Sequence, residues 1–287
     1  MSSDELQGDL PLGLAATGVD AILAETAESI DNLYRAAAEQ GKAAPWTKIL
    51  DRISKSTHMA PFNMMLADVQ RPGARYVAFR KDWVRLGRQI KPGAIPIVVL
   101  WPFCPVRFAF DLSDTTGPKT EDAVLDQMFG EPLPVPSDAA GKLARRALKE
   151  DQIEVEVSAL GSNLAGDARA TGAEAAKRGT EQKPKWVVRI ASHLNDGAKF
   201  TTLIHELAHI YLGHLGSNGH KWPDRRPGRL DAQEFEAEAV SFLVGSRFGL
   251  NTHSADYLRE YIEGDTIEQV SVSAIARAAG RIEQHAR

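Results

Sequence analysis

Two histidines four residues apart, with a glutamate directly after the first, stand in the segment Phe200-Thr-Thr-Leu-Ile-His205-Glu206-Leu-Ala-His209-Ile-Tyr-Leu-Gly213-His214. On a helix this HExxH spacing puts both imidazoles on one face, within reach of a single ion, and leaves Glu206 about 100° round, where it can approach a water on that ion. The chemistry such a set serves is hydrolysis. A helical wheel places Thr202, His205, Glu206, His209 and Gly213 on one stripe, with Leu203, Ile204, Leu207, Ala208, Ile210 and Tyr211 over most of the rest. A helix apolar nearly all round is buried, so the three ionisable groups face the interior.

A catalytic zinc site takes three protein ligands and keeps one position open. In Asp231-Ala-Gln-Glu234-Phe-Glu236-Ala-Glu238-Ala-Val-Ser241-Phe-Leu-Val-Gly245, the residues Glu234, Glu238, Ser241 and Gly245 share one narrow polar stripe of a second, mostly apolar helix. Two like charges at i and i+4 repel, and on a buried face they need a cation, which a Zn2+ held by His205 and His209 would supply. Glu234 and Glu238 are therefore the candidates for the third ligand. Glu236 points roughly the opposite way and reads as a first-turn surface carboxylate. The transition-state donor stays open among His214, Tyr211, His193, His220, Tyr257 and Tyr261; the wheel turns Tyr211 off the ligand stripe, and His214 too unless the helix ends at Gly213.

The remainder of the chain bounds what can surround this site. With 287 residues, 43% hydrophobic and 25% charged, it can bury a proper core and has the length of about two domains. A formal net charge of −4 excludes a generally basic nucleic-acid binder. The single cysteine, Cys104, excludes an intramolecular disulfide and any multi-cysteine metal site, and without a His or Asn context it is a poor nucleophile. The longest apolar run, Ala94 to Pro105, is about half a membrane span, and the acidic start of the chain has no signal-peptide character. A cytoplasmic protein without membrane association is expected.

The fold class expected is α+β. Residues 1–14 read as a disordered lead-in, 15–112 as an N-terminal α+β domain, 113–138 as a Gly/Pro-rich linker, and 139–287 as a zinc metallopeptidase domain with a small antiparallel sheet and helices. Within the first part, periodicity predicts helices over 19–40, Trp46 to Lys55 and Pro61 to Gln70, and β-branched runs predict a hairpin of Ile95–Trp101 with Val106–Leu112. In the second, a helix over Ala139–Glu150, strands over Ile153–Leu160 and Lys185–Ala191, and helices to the end are expected. The strand Lys185–Ala191 is the candidate edge for an extended substrate. The loop Leu215–Arg229 reads either as a mobile segment bordering the cleft or as a plain solvated connector.

Between Arg71 and Lys91 lie seven basic residues, Arg71, Arg75, Arg80, Lys81, Arg85, Arg88 and Lys91, against one acidic residue, Asp82. Tyr76, Phe79 and Trp83 are interleaved, the mixture that sequence-tolerant single-strand binding uses, although such runs are usually a solvated helix face.

The C-terminal half resembles the ImmA/IrrE-type metallopeptidases within the gluzincin class, on the words TLIHELAHIYLGH (202–214) and EFEAEAVSFLV (234–244). The resemblance implies that His205, His209 and Glu234 are the zinc ligands, Glu206 the general base, and Glu238 a carboxylate that orients a ligand histidine. Residue 238 departs from the Asn or Asp common there. The segment Phe62 to Pro102 is similar to the amino-terminal region of ArdC-type antirestriction proteins, on Asn63, Gln70-Arg-Pro-Gly-Ala, Trp83, Leu86-Gly-Arg88 and Lys91-Pro-Gly-Ala. Two functions follow as expectations: a metalloendopeptidase that cleaves a regulatory or defence-related protein, or an ArdC-like single-stranded-DNA-binding protein with a mainly structural zinc domain. For the second, Arg71, Arg75, Arg80, Trp83, Arg85, Arg88 and Lys91 are the candidate contacts.

Overall fold

The computed structural model describes residues 31–32, 46–101, 104–128, 133, 135, 138–161, 164–172, 184–219, 221–250 and 270–287. The lead-in and most of the helix expected over 19–40 lie outside these residues; Asp31 and Asn32 are helical. The fold is α+β.

In chain order come α1 (Trp46–Lys55), α2 (Pro61–Gln70), β1 (Val77–Phe79), α3 (Arg80–Arg85), β2 (Gln89–Ile90), β3 (Ile97–Trp101) and β4 (Cys104–Asp111). Strands β3 and β4 form the expected hairpin, with Val98 opposite Phe108, in a sheet of order β1-β4-β3. The outer edge of β3 is covered by side-chain amides of α2. Asn63 and Gln70, two turns apart, exchange paired hydrogen bonds of 2.7 to 3.0 Å with the backbone of Leu100 and Val98, alternate residues of the strand. That pairing satisfies an edge which would otherwise template another strand.

Within and just before the stretch read as a Gly/Pro-rich linker, 113–138, lie a 3-10 turn (Leu112–Asp114), β5 (Thr115–Thr116) paired antiparallel with β2, and α4 (Glu121–Met128). Then follow α5 (Ala139–Asp151), β6 (Ile153–Ser158), β7 (Gly166–Ala170), β8 (Trp186–Ala191), α6 (Asp196–Tyr211), α7 (Leu230–Arg247) and α8 (Val272–Ala286). The second sheet has the order β6-β8-β7, with β6 parallel and β7 antiparallel to β8. It is mixed, where an antiparallel sheet was expected. β7, Gly-Asp-Ala-Arg-Ala, carries no β-branched or aromatic residue, so pairing with β8, and not propensity, makes it a strand.

One apolar core runs through both halves. Ile49, Leu50 and Ile53 of α1 and Met65 of α2 join Ile204 and Leu207 of α6, Phe235 and Leu243 of α7, and Ile275 and Ile282 of α8, all nearly inaccessible to solvent. Arg247, the last residue of α7, is fully buried and donates to the carbonyls of Ile53, Ser56, Thr57 and Met59 and to both carboxylate oxygens of Glu283. The helix that carries Glu234 is thus tied at its far end to the α1–α2 connection. Among the described residues no helix is long and apolar enough to cross a membrane.

Candidate metal centre

Helix α6 starts where Asn195 accepts the Ala198 N–H as an N-cap, at 2.9 Å. It buries Leu203, Ile204, Leu207, Ala208 and Ile210 and leaves His205, Glu206 and His209 on its less covered side. Helix α7 packs beside it, burying Phe235, Ala237, Val240 and Leu243, and turns Glu234 and Glu238 towards the same space.

The Nε2 atoms of His205 and His209 lie 3.3 Å apart. Each is 3.7 Å from a different oxygen of the Glu234 carboxylate. Among the described residues these three are the group whose ligand atoms converge, all within 4.8 Å. Tetrahedral coordination with bonds of about 2.0 to 2.1 Å sets donors about 3.4 Å apart, so the spacing and the two-nitrogen, one-oxygen donor set both fit a divalent cation. Glu238 stands behind the first histidine, its Oε2 3.1 Å from His205 Nδ1. Geometry therefore separates the two candidate carboxylates: Glu234 faces both Nε2 atoms, and Glu238 faces the opposite nitrogen of one ring.

The electrostatics point the same way. Burial alone would lower the His205 pKa, but Glu234 and Glu238 against the ring raise it to about 10. Glu234 is held well below the usual carboxylate range by the two imidazoles. Glu206 is raised, by burial first and by Asp167 and Glu234 beside it, against the lowering effect of the histidines. Three carboxylates around two imidazoles form a site short of positive charge, which a divalent cation would supply.

His214, Glu236 and Arg225 complete the surroundings. The helix ends at Tyr211, and Gly213, at φ +81°, turns the chain back so that the His214 N–H donates to the His209 carbonyl at 3.0 Å. A Cβ on Gly213 would lie 2.0 Å from the Pro223 carbonyl oxygen, so both the φ and the space demand glycine. The His214 ring then sits with Nδ1 3.0 Å from His209 Nδ1 and Nε2 3.0 Å from Glu236 Oε2. The reading of Glu236 as a surface carboxylate is corrected: its side chain is 1% exposed. It also accepts both Nη atoms of Arg225, at 2.6 Å each, and the Ser271 N–H at 2.6 Å. Burial would raise its pKa, but the donors from His214 and Arg225 outweigh that and lower it. The wheel misled because α7 is buried on both sides, so "away from Glu234" is not "towards solvent".

A further expectation changes. β8 is the central strand of its sheet, paired on both sides, and offers no edge; the strand beside α6 with an unpaired outer edge among the described strands is β7. Gly166 at its start passes the HExxH helix so closely that a Cβ there would lie 2.6 Å from Thr202 Cγ2 and 3.3 Å from Glu206 Cγ. The loop Leu215–Arg229 has two side chains packed against the helices and sheet. Trp222 is buried against Trp186 and Tyr211, and Arg225 is forked onto Glu236. Of the donor candidates, the Tyr211 hydroxyl is turned away onto Asp151 and His193 is exposed, while His220, Tyr257 and Tyr261 lie outside the described residues.

Residues 168–258 match the peptidase M78 family model, the IrrE N-terminal-like domain. The match spans both helices of the metal centre and supports a metallopeptidase-type reading of this half. Two crystal structures of the antirestriction protein ArdC from plasmid R388, metal-free and Mn(II)-bound, are similar to the chain at 13% identity. They cover 91% of this chain and 97% of ArdC, with TM-scores of 0.38 and 0.36. No curated protein matches.

The basic segment 71–91 is dispersed by the fold. Trp83 is fully buried on α3, its indole N–H shared between the Ala78 and Phe110 carbonyls at 3.1 Å. Tyr76 and Phe79 are also buried, so the expected stacking faces are core. Arg88 is 4% exposed and donates to the Thr115 side chain and to the carbonyls of Thr115 and Lys119. Arg71 pairs with Asp114, Arg75 with Glu121 and Asp122, and Lys91 with the Ser113 carbonyl. Arg80 and Arg85 are exposed, Arg85 3.6 Å from Asp82.

Proposed function

We propose that the chain is a zinc-dependent metalloendopeptidase in which His205, His209 and Glu234 hold the ion and Glu206 is the general base. The observation that carries this reading is the convergence of both Nε2 atoms on the Glu234 carboxylate, with Glu206 next to the first histidine on the same helix. Bound Zn2+ supplies Lewis acidity, polarising a scissile carbonyl and easing ionisation of water near neutral pH. Glu206 accepts a proton from the attacking water at its carboxylate and returns it to the leaving amine. Glu238 receives the His205 Nδ1–H and so keeps the opposite nitrogen turned inward. The outer edge of β7 pairs with the main chain of an extended protein substrate and lays it past Glu206.

Glu206→Gln tests the assignment. The variant should retain zinc and its melting temperature while losing hydrolysis of a denatured protein substrate, since a base that is not a ligand is lost without cost to the site. Equal activity in variant and parent would end the reading.

A further inference from the structure

We propose that Arg169 is a specificity-determining residue that selects protein segments carrying an aspartate or glutamate on the amino side of the scissile bond. The inference rests on the metalloendopeptidase reading with β7 as its substrate-pairing edge, and it adds the chemical class of segment that pairs there.

The register of the sheet decides what that edge presents. Across the β7–β8 ladder Ala191 donates its N–H to the Ala165 carbonyl and Thr171 its N–H to the Lys185 carbonyl, both at 2.8 Å. Main-chain groups alternate along a strand, so residues 165, 167, 169 and 171 bond to β8, while the N–H and C=O of Gly166, Ala168 and Ala170 point to the outer edge. Side chains alternate as well. Gly166 and Ala168 stand on the face that meets α6 and the core, and Asp167 and Arg169 stand on the opposite face. An antiparallel segment bonded to residues 166, 168 and 170 therefore sets non-hydrogen-bonded residues opposite Asp167 and Arg169, where cross-strand side chains come closest.

The two charges on that face are not equivalent. Asp167 accepts from both Nε, at 2.8 Å, and Nη2 of Arg189 on β8, and Glu156 of β6 stands at the register position beyond Arg189. That row of acid, base and acid is complete within the sheet. The next row is Glu154, Val187 and Arg169. Arg169 thus has a valine as its partner across the ladder, is exposed, and enters none of the ion pairs among the described residues. A carboxylate directly across from it is what a joining strand can add, and an ammonium or guanidinium there is repelled.

Chain polarity gives the direction. In antiparallel pairing, the more stable kind per residue, the residue opposite Arg169 lies three positions before the one opposite Gly166. Gly166 is where β7 approaches Glu206, since a Cβ there would lie 3.3 Å from Glu206 Cγ. The selected carboxylate accordingly falls on the amino side of the bond that Glu206 serves.

Cleavage sites made by the zinc-loaded, full-length protein in a mixture of denatured proteins, located by mass spectrometry, test this. The parent should favour Asp or Glu over Lys or Arg by about 2- to 5-fold at one position on the amino side, the size of a cross-strand charge pair. Arg169→Glu should invert the preference at that position, and Arg169→Gln should abolish it. No acidic preference in the parent, a preference confined to the carboxyl side, or one unchanged in Arg169→Glu overturns the proposal. A zinc-loaded parent that cleaves nothing refutes the peptidase reading, and the edge is then judged by binding of two labelled peptides, Thr-Glu-Thr-Glu-Thr-Glu and Thr-Lys-Thr-Lys-Thr-Lys. Tighter binding of the first by the parent and of the second by Arg169→Glu upholds Arg169 as the selector. Equal binding of both by the parent, or an order unchanged in Arg169→Glu, overturns it.

Discussion

Replacing Arg247 with methionine should destabilise the protein by about 3 to 5 kcal/mol, the cost of leaving a buried charge without its partner. Arg247 is fully buried, and its fork meets Glu283 at 2.5 and 3.3 Å. Four carbonyls lose a donor as well, but the Ile53 oxygen still accepts the Ser56 N–H and the Ser56 oxygen the Met59 N–H. Among the described residues Glu283 keeps Arg287, whose side chain is half exposed. Most of the loss thus falls on the stranded carboxylate, and the double variant Arg247→Met/Glu283→Leu should be clearly more stable than Arg247→Met alone. Urea unfolding measures this: with a slope of about 3 kcal/mol per molar, the single variant's midpoint should fall by about 1 to 2 M. A loss below about 1 kcal/mol, or a double variant whose losses simply add, would refute the claim that this pair joins the α1–α2 connection to the metal-bearing helix.

Gly166→Ala should lower proteolysis with zinc retained, because the new Cβ meets Thr202 and the Arg189 carbonyl at under 3 Å and presses on Glu206; unchanged kcat/KM would contradict it. Glu238→Gln should weaken zinc about 10- to 100-fold and Glu234→Gln by more, and chelator competition showing the reverse order would exchange their roles. Asp151 tests acid stability. Burial would raise its pKa, but hydrogen bonds from Arg281 and Lys221 outweigh burial and lower it. Its contribution is therefore present above the unfolded value of about 4 and lost as pH falls through the lower folded value. Asp151→Asn should reduce the melting temperature at pH 7 and flatten its decline below about pH 4, and parallel melting profiles for the two proteins would show that the pair contributes nothing.

What could be read from sequence, and what could not, follows from how local each signal is. HExxH needs only helical periodicity, so His205, Glu206 and His209 were legible, and the Glu234/Glu238 stripe was legible for the same reason. His214 was not, since Gly213 takes the chain off the helix and a wheel no longer says where the ring goes. Glu236 was misplaced because its surroundings, Arg225 from a loop and Ser271 from the start of α8, are 11 and 35 residues distant in sequence. β7 escaped notice because its strand state is imposed by β8. A count of charge between Arg71 and Lys91 carried no information on direction; Trp83 and Arg88 face inward because α3 and the β2–β5 pair must close the small second cluster around Tyr76, Ala78 and Leu112.

The most direct measurement of the central claim is the zinc content of the purified full-length protein beside that of His205→Ala and Glu234→Gln. The geometry predicts about one equivalent in the parent and a large loss in both variants without loss of fold, as a site of three protein ligands requires. Less than about a tenth of an equivalent in the folded parent, unchanged after zinc is supplied, would contradict it.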